Sequence, residues 1–65
     1  MKRSEFERHL RSSGCLRVRE GGRHAIWSNP ANGATAAVPR HNELKRNTAR
    51  RICFDLGIEK PPTLS

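Results

Sequence analysis

Apolar positions recur along this chain first at a helical spacing, then at alternate residues, then at a helical spacing again. Phe6 and Leu10 stand at i and i+4 behind Ser4-Glu5-Phe6-Glu7, which has the form of a capping box, and Gly14 offers a left-handed stop. The spacing predicts a helix from about Ser4 to Ser13, with Arg8 and Arg11 on its other face. From Cys15 to Glu20 the period drops to two: Leu16 and Val18 share one face, and Cys15, Arg17 and Arg19 the other. This reads as a half-buried strand. In the turn Glu20-Gly21-Gly22-Arg23 two glycines permit a tight reversal with positive φ, and a second strand follows from about His24 to Ser28. Asn29-Pro30-Ala31-Asn32-Gly33 is a dense turn signal, so the next run, Ala34 to Val38, returns antiparallel until Pro39 ends its pairing. Arg40 to Arg46 is a polar crossing anchored by Leu44. Asn47 or Thr48 is a candidate cap for a second helix running to about Leu56, with Ala49, Ile52, Cys53 and Leu56 on one stripe. Gly57 closes that helix, and the tail from Glu59 onward, with Pro61-Pro62 inside it, is expected to fray.

The order is α-β-β-β-α. It predicts an α+β fold in which a three-stranded antiparallel sheet is covered on one face by two helices. At 65 residues the chain holds one domain, taken as residues 1–58, with 59–65 as its frayed tail. The expected core is Phe6, Leu10, Leu16, Val18, Ile26, Val38, Leu44, Ile52, Leu56 and Ile58, helped by Ala49 and Cys53. That is a small core, and a partner or self-association is a candidate to complete it.

Charge changes the picture. Thirteen Lys and Arg stand against six Asp and Glu, a formal net charge of +7, and ten of the thirteen are arginine, the side chain suited to forked phosphate contacts. The basic residues are spread along the chain, which fits a folded binder of polyanions, with solubility alone as the plainer alternative. No apolar run is long enough to cross a membrane and no signal-type apolar region follows the first basic residues, so a cytoplasmic location is expected. Cys15 and Cys53 are isolated thiols, expected to be reduced and packed. With His24 and His41 they form no close ligand pair, so neither a metal nor a cofactor is expected.

His24 is the candidate for chemistry. It opens the second strand immediately after the glycine turn, at a sheet rim that solvent and a ligand can both reach, and imidazole both takes and gives a proton near neutral pH. A satisfied turn histidine is the alternative.

The residues around His24 carry a resemblance. Arg11-Ser12-Ser13-Gly14, then Gly21-Gly22-Arg23-His24-Ala25-Ile26-Trp27, then Asn29-Pro30 through Val38-Pro39-Arg40-His41, then Glu43-Leu44 through Thr48, Ile52 and Leu56-Gly57-Ile58 follow one another as in the HicA family. The chain resembles these small toxins, which are ribonucleases that cut messenger RNA and are paired with HicB antitoxins. The resemblance spans about Ser4 to Ile58. It implies a fold like the double-stranded-RNA-binding domain, a metal-independent ribonuclease whose essential histidine matches His24, and a HicB-like antitoxin that covers His24. Family members often carry Gly-Ser-His where this chain has Gly22-Arg23-His24.

Around that histidine, Arg17, Arg19, Arg23, Arg40, Lys45 and Arg46 are the expected RNA contacts, with Arg17, Arg19 and Arg23 placed to stabilise developing phosphate charge. His41 is a possible second proton-transfer group, although a loop histidine is the preferred reading, and His9 reads as a partly covered helix residue. Strand parity sets a difficulty, because His24 and Ile26 share a face while Ile26 is assigned to the core. Either His24 lies beyond the covered part of the sheet or a glycine-driven bulge resets the register. Trp27 then falls on the open face, where it stacks a base or an antitoxin side chain, or simply packs. A non-catalytic RNA-binding module and an inactive antitoxin-binding subunit are the competing functions.

Overall fold

The computed structural model describes residues 1–64. Its elements are α1 (Arg3–Ser12), β1 (Leu16–Glu20), β2 (His24–Asn29), β3 (Ala34–Pro39), α2 (Arg46–Leu56) and a 3-10 turn, Pro62–Leu64. The strands form one antiparallel sheet in the order β1-β2-β3. The α+β order α-β-β-β-α expected from the two periods is the one observed.

Both helices start where tertiary pairing, not a side-chain cap, holds them. Lys2 occupies the N-cap position of α1 without a side-chain bond, so the capping box expected from Ser4 and Glu7 does not form. The first residues instead pair with the crossing: Arg3 N–H donates to Asn42 O at 2.9 Å and Leu44 N–H donates to Met1 O at 2.8 Å. Lys45 opens α2 in the same uncapped way, ahead of the expected Asn47 or Thr48. The helix ends follow the sequence signals. Gly14, at φ 88°, lets Cys15 N–H reach Leu10 O and Gly14 N–H reach Arg11 O, and Gly57, at φ 70°, does the same for Ile58 with Cys53 and for itself with Phe54.

Phe6 and Leu10 from α1 and Ala49, Ile52, Cys53 and Leu56 from α2 pack with Cys15, Leu44, Leu64 and the inward residues of β2 and β3. Those inward residues differ from the expected set. Ala25, Trp27 and Asn29 are the buried positions of β2, so Trp27, at 0 % exposure, is the largest fully buried side chain and Ile26 is only half-buried on the open face. The parity difficulty disappears: His24 and Ile26 do share a face, and it is the uncovered one. Burying Trp27 removes far more apolar surface than burying Ile26 would, which decides between the two parities.

The register break lies in β1, not at the glycines. Arg17 pairs with Trp27 and Arg19 with Ile26, leaving Val18 as the extra residue of a bulge. Directly opposed residues share a face, so Arg17 and Arg19 lie on opposite faces and not together as simple alternation required. Leu16, opposite Ser28, faces the open side of this edge strand and Val18 is the bulge residue, so both, assigned to the core, are exposed, at 57 % and 58 %.

The tail is docked. Leu64 is 2 % exposed, Pro61 is buried, and the Arg46 and Arg50 guanidinium groups donate to Thr63 O at 3.1 Å and Leu64 O at 3.3 Å. The expected fraying fails for residues 59–64 because one apolar side chain and two arginines of α2 hold the segment down. Ser65 lies outside the described residues.

Candidate functional site

The glycine turn between β1 and β2 is narrow for a reason the sequence does not suggest. Neither Gly21 nor Gly22 has positive φ. Gly21 N–H donates to His24 O at 2.8 Å, and a Cβ at Gly21 would stand 3.1 Å from that same oxygen. The close backbone approach, not the dihedral, calls for glycine there. Beyond it β2 begins, and its first residue, His24, is exposed on the open face.

Arg40 braces this turn from the end of β3. Its Nη1 donates to Gly21 O at 2.9 Å, its Nη2 lies 3.3 Å from a Glu20 carboxylate oxygen, and its backbone N–H donates to Arg23 O at 3.1 Å. Arg3 in turn donates to the Arg40 carbonyl. The result is a cleft of about 490 Å³ lined by Gly22, Arg23, His24, Arg40 and His41. Its lining carries two guanidinium groups and two imidazoles, a set able to hold a phosphodiester and move protons beside it.

Four of the residues singled out by sequence therefore meet: Arg23, His24, Arg40 and His41. His41 is a loop residue, as preferred from sequence, and its loop places it on the cleft. On its other side it shares a second cleft with Pro39, Glu43, Leu44, Lys45 and Thr48, which places Lys45 next door to the site. Arg19 lies on the same open face as His24, opposite Ile26. Arg17 stands on the other face, 3.9 Å from Glu20. Arg46 faces the tail and holds Thr63.

Trp27 is the correction with most consequence for the site. Its ring is fully buried, with the Arg11 guanidinium 5.2 Å from the ring centroid, so neither a base nor a partner side chain stacks on it in this structure. Its Nε1–H has no hydrogen-bond partner among the described residues.

Sequence reasoning passed over Glu20 and Gly22. Glu20 neutralises part of Arg40 and so leaves Arg23 as the cleft's cation with no side-chain partner among the described residues. A lone acid immediately before Gly21-Gly22 in an otherwise basic strand was the available signal. Cys15 and Cys53 are free and fully buried, and burial pushes both thiols up, Cys53 further through Cys15. Among the described residues no group of three or more His, Cys, Asp or Glu is placed to hold a metal ion. No described helix is long and apolar enough to cross a membrane.

No curated protein and no solved structure matches the chain. The model of one family does, that of the HicA toxin of bacterial toxin-antitoxin, over residues 3–58. That match takes in both helices, all three strands and every residue of the cleft, and the chain belongs to the HicA toxin family, the toxin half of a toxin–antitoxin pair.

Proposed function

We propose that this chain is a metal-independent endoribonuclease that cleaves messenger RNA in the cytoplasm, with residues 1–58 as the functional domain and His24 as its acid–base residue. The observation that carries this reading is the exposed His24 standing beside Arg23 in one cleft at the rim of the open sheet face. A phosphodiester seated there meets a fork of N–H donors from Arg23 and an imidazole able to exchange a proton with a ribose hydroxyl or a leaving oxygen. Arg19 on the same face, and Lys45 in the adjoining cleft, extend the positive surface along which a strand would run. Arg40 is the brace that keeps the His24 turn in place.

The toxin's partner is a cognate antitoxin, which we propose is HicB-like and covers His24 with acidic groups set against Arg19 and Arg23. Such a cover blocks substrate and neutralises the phosphate site together. The test uses pure protein, a single-stranded transcript and EDTA. Fragments from the native chain, and about 10²–10⁴-fold slower cleavage by His24→Ala with RNA binding retained, are expected. Intact RNA with retained binding would instead leave a non-catalytic RNA-binding module, and loss of both would leave an antitoxin-binding subunit. Cleavage by the purified toxin–antitoxin complex at the free toxin's rate would contradict occlusion.

A further inference from the structure

We propose that His41 is the second proton-transfer residue of this cleft, acting with His24 on a single RNA phosphodiester; this rests on the ribonuclease reading above. The ladder between β2 and β3 sets the geometry. His24 pairs with Pro39, and the Arg40 N–H donating to Arg23 O at 3.1 Å carries the pairing one step past the strand end. His41 comes two positions after Pro39, in the bend just past the strand end, and so stays on the same side of the fold rim as the start of β2. Both residues line the same cleft. Of its five lining residues, Gly22 has no side chain and guanidinium groups only donate hydrogen bonds, so the two imidazoles, His24 and His41, are the pair whose chemistry suits proton transfer.

The carboxylate closest to the turn and the third imidazole are otherwise engaged. Glu20 is held by Arg40 at 3.3 Å and Arg17 at 3.9 Å. His9 donates to Glu59 O at 2.7 Å and does not line the cleft. Around His41 the charged and titratable groups are Arg23, His24 and Arg40 on one side and Glu43 and Lys45 on the other.

The chemistry calls for two such groups. A neutral imidazole takes the proton of the 2′-hydroxyl while the 2′-oxygen forms its bond to phosphorus. The bond from phosphorus to the 5′-oxygen breaks, its electron pair stays on that oxygen, and a protonated imidazole supplies the proton the oxygen needs. A 2′,3′-cyclic phosphate and a 5′-hydroxyl result, with no net proton consumed. Attacking and leaving oxygens lie in line on opposite sides of phosphorus, so residues from two walls of a cleft serve them where one residue would have to cross over.

The experiment compares native protein, His24→Ala, His41→Ala and His41→Asn on ordinary RNA and on RNA whose scissile 5′-oxygen is replaced by sulfur, a leaving group that needs no acid. His41 is exposed, and thermal melts establish that each variant is folded. Both His41 variants are expected to cut ordinary RNA about 10²–10⁴-fold more slowly, with RNA binding kept and one limb of the pH–rate profile lost. The sulfur substrate is expected to restore either the His24 or the His41 variants, but not both. Restoration of both or neither, or a pH profile lowered with both limbs intact, overturns the proposal. So does native-like cleavage by the His41 variants while His24→Ala is inert, which would leave a ribonuclease with a single histidine. An inert native chain would instead remove the ribonuclease reading itself.

Discussion

At the far end of β2, the turn into β3 is tied into the interior; at the near end, the turn from β1 is tied only to its neighbours on the surface. In the far turn Asn29, 5 % exposed, donates from Nδ2 to Leu56 O at 2.8 Å and accepts Ala31 N–H on Oδ1 at 3.1 Å. Asn32 adds a second donation to Leu56 O at 3.1 Å and accepts Ala34 N–H at 2.8 Å. Two side-chain amides thereby satisfy a carbonyl at the end of α2 that the helix leaves without a partner. The near turn has one backbone bond across it, from Gly21 to His24, and the Arg40 brace, all of it exposed. One strand thus has an end fixed to α2 and an end held only at the surface, where the proposed site lies, the usual division between scaffold and site.

Substitutions at the two ends should separate the two roles, and the largest effect lies at the free end. His24→Ala is expected to lower cleavage by about 10²–10⁴-fold while leaving stability within roughly 0.5 kcal/mol, because the exposed ring contributes no packing. Asn29→Ala is expected to do the reverse. It removes the buried amide from Leu56 O and the Asx turn, costing about 1–3 kcal/mol, and cleavage per folded molecule should stay near native. Urea melts beside cleavage rates measure both. A stability loss for His24→Ala equal to that of Asn29→Ala would break the comparison.

How much of this division is legible in sequence depends on the residue. The spacing of Phe6 and Leu10, and of Ala49, Ile52, Cys53 and Leu56, fixes both helices and their buried stripes, since a helical face is set by one segment alone. β2 is different. It has apolar residues at both parities, Ala25 and Trp27 on one and Ile26 on the other, so alternation does not choose the buried face. Volume chooses it, and volume is a property of the whole core. The Val18 bulge is unreadable for a similar reason: an extra residue exists only relative to a partner strand. Leu64 and the two arginines that hold its segment are separated along the chain, so a proline pair suggested fraying where the structure has docking. At the site, His24 follows from its own neighbours. His41 beside it follows from cross-strand register, which no local pattern encodes.

The fixed end is backed by two thiols whose titration offers a subtler probe. Burial raises both Cys15 and Cys53 above the ordinary thiol value of 9.0, and Cys15 raises Cys53 further. The folded chain therefore keeps protons that the unfolded chain releases. Stability is fully present below about pH 9 and falls as pH rises toward the folded values. Urea midpoints between about pH 8 and about pH 10.5 should decline in the native protein and decline less in a Cys15→Ala, Cys53→Ala variant. Equal slopes in the two proteins would mean that solvent reaches the thiols, and that this end opens as freely as the other.

The smallest effects sharpen the free end itself. Sequence treats Gly21 and Gly22 alike, as two residues wanted for positive φ, whereas the structure separates them. A Cβ at Gly21 would lie 3.1 Å from His24 O, on the oxygen that the Gly21 N–H already binds, so Gly21→Ala must displace the backbone that carries His24. A Cβ at Gly22 meets nothing within 4 Å, and its φ is not in the left-handed region. Gly22→Ala should therefore stabilise the chain by about 0.4–1 kcal/mol through the lost freedom of the unfolded state, and Gly21→Ala should destabilise it. Thermal melts of the two variants decide the matter. If Gly22→Ala proves the more harmful, the turn in solution holds Gly22 at positive φ, and the wall it forms beside His24 has a different shape from the one described.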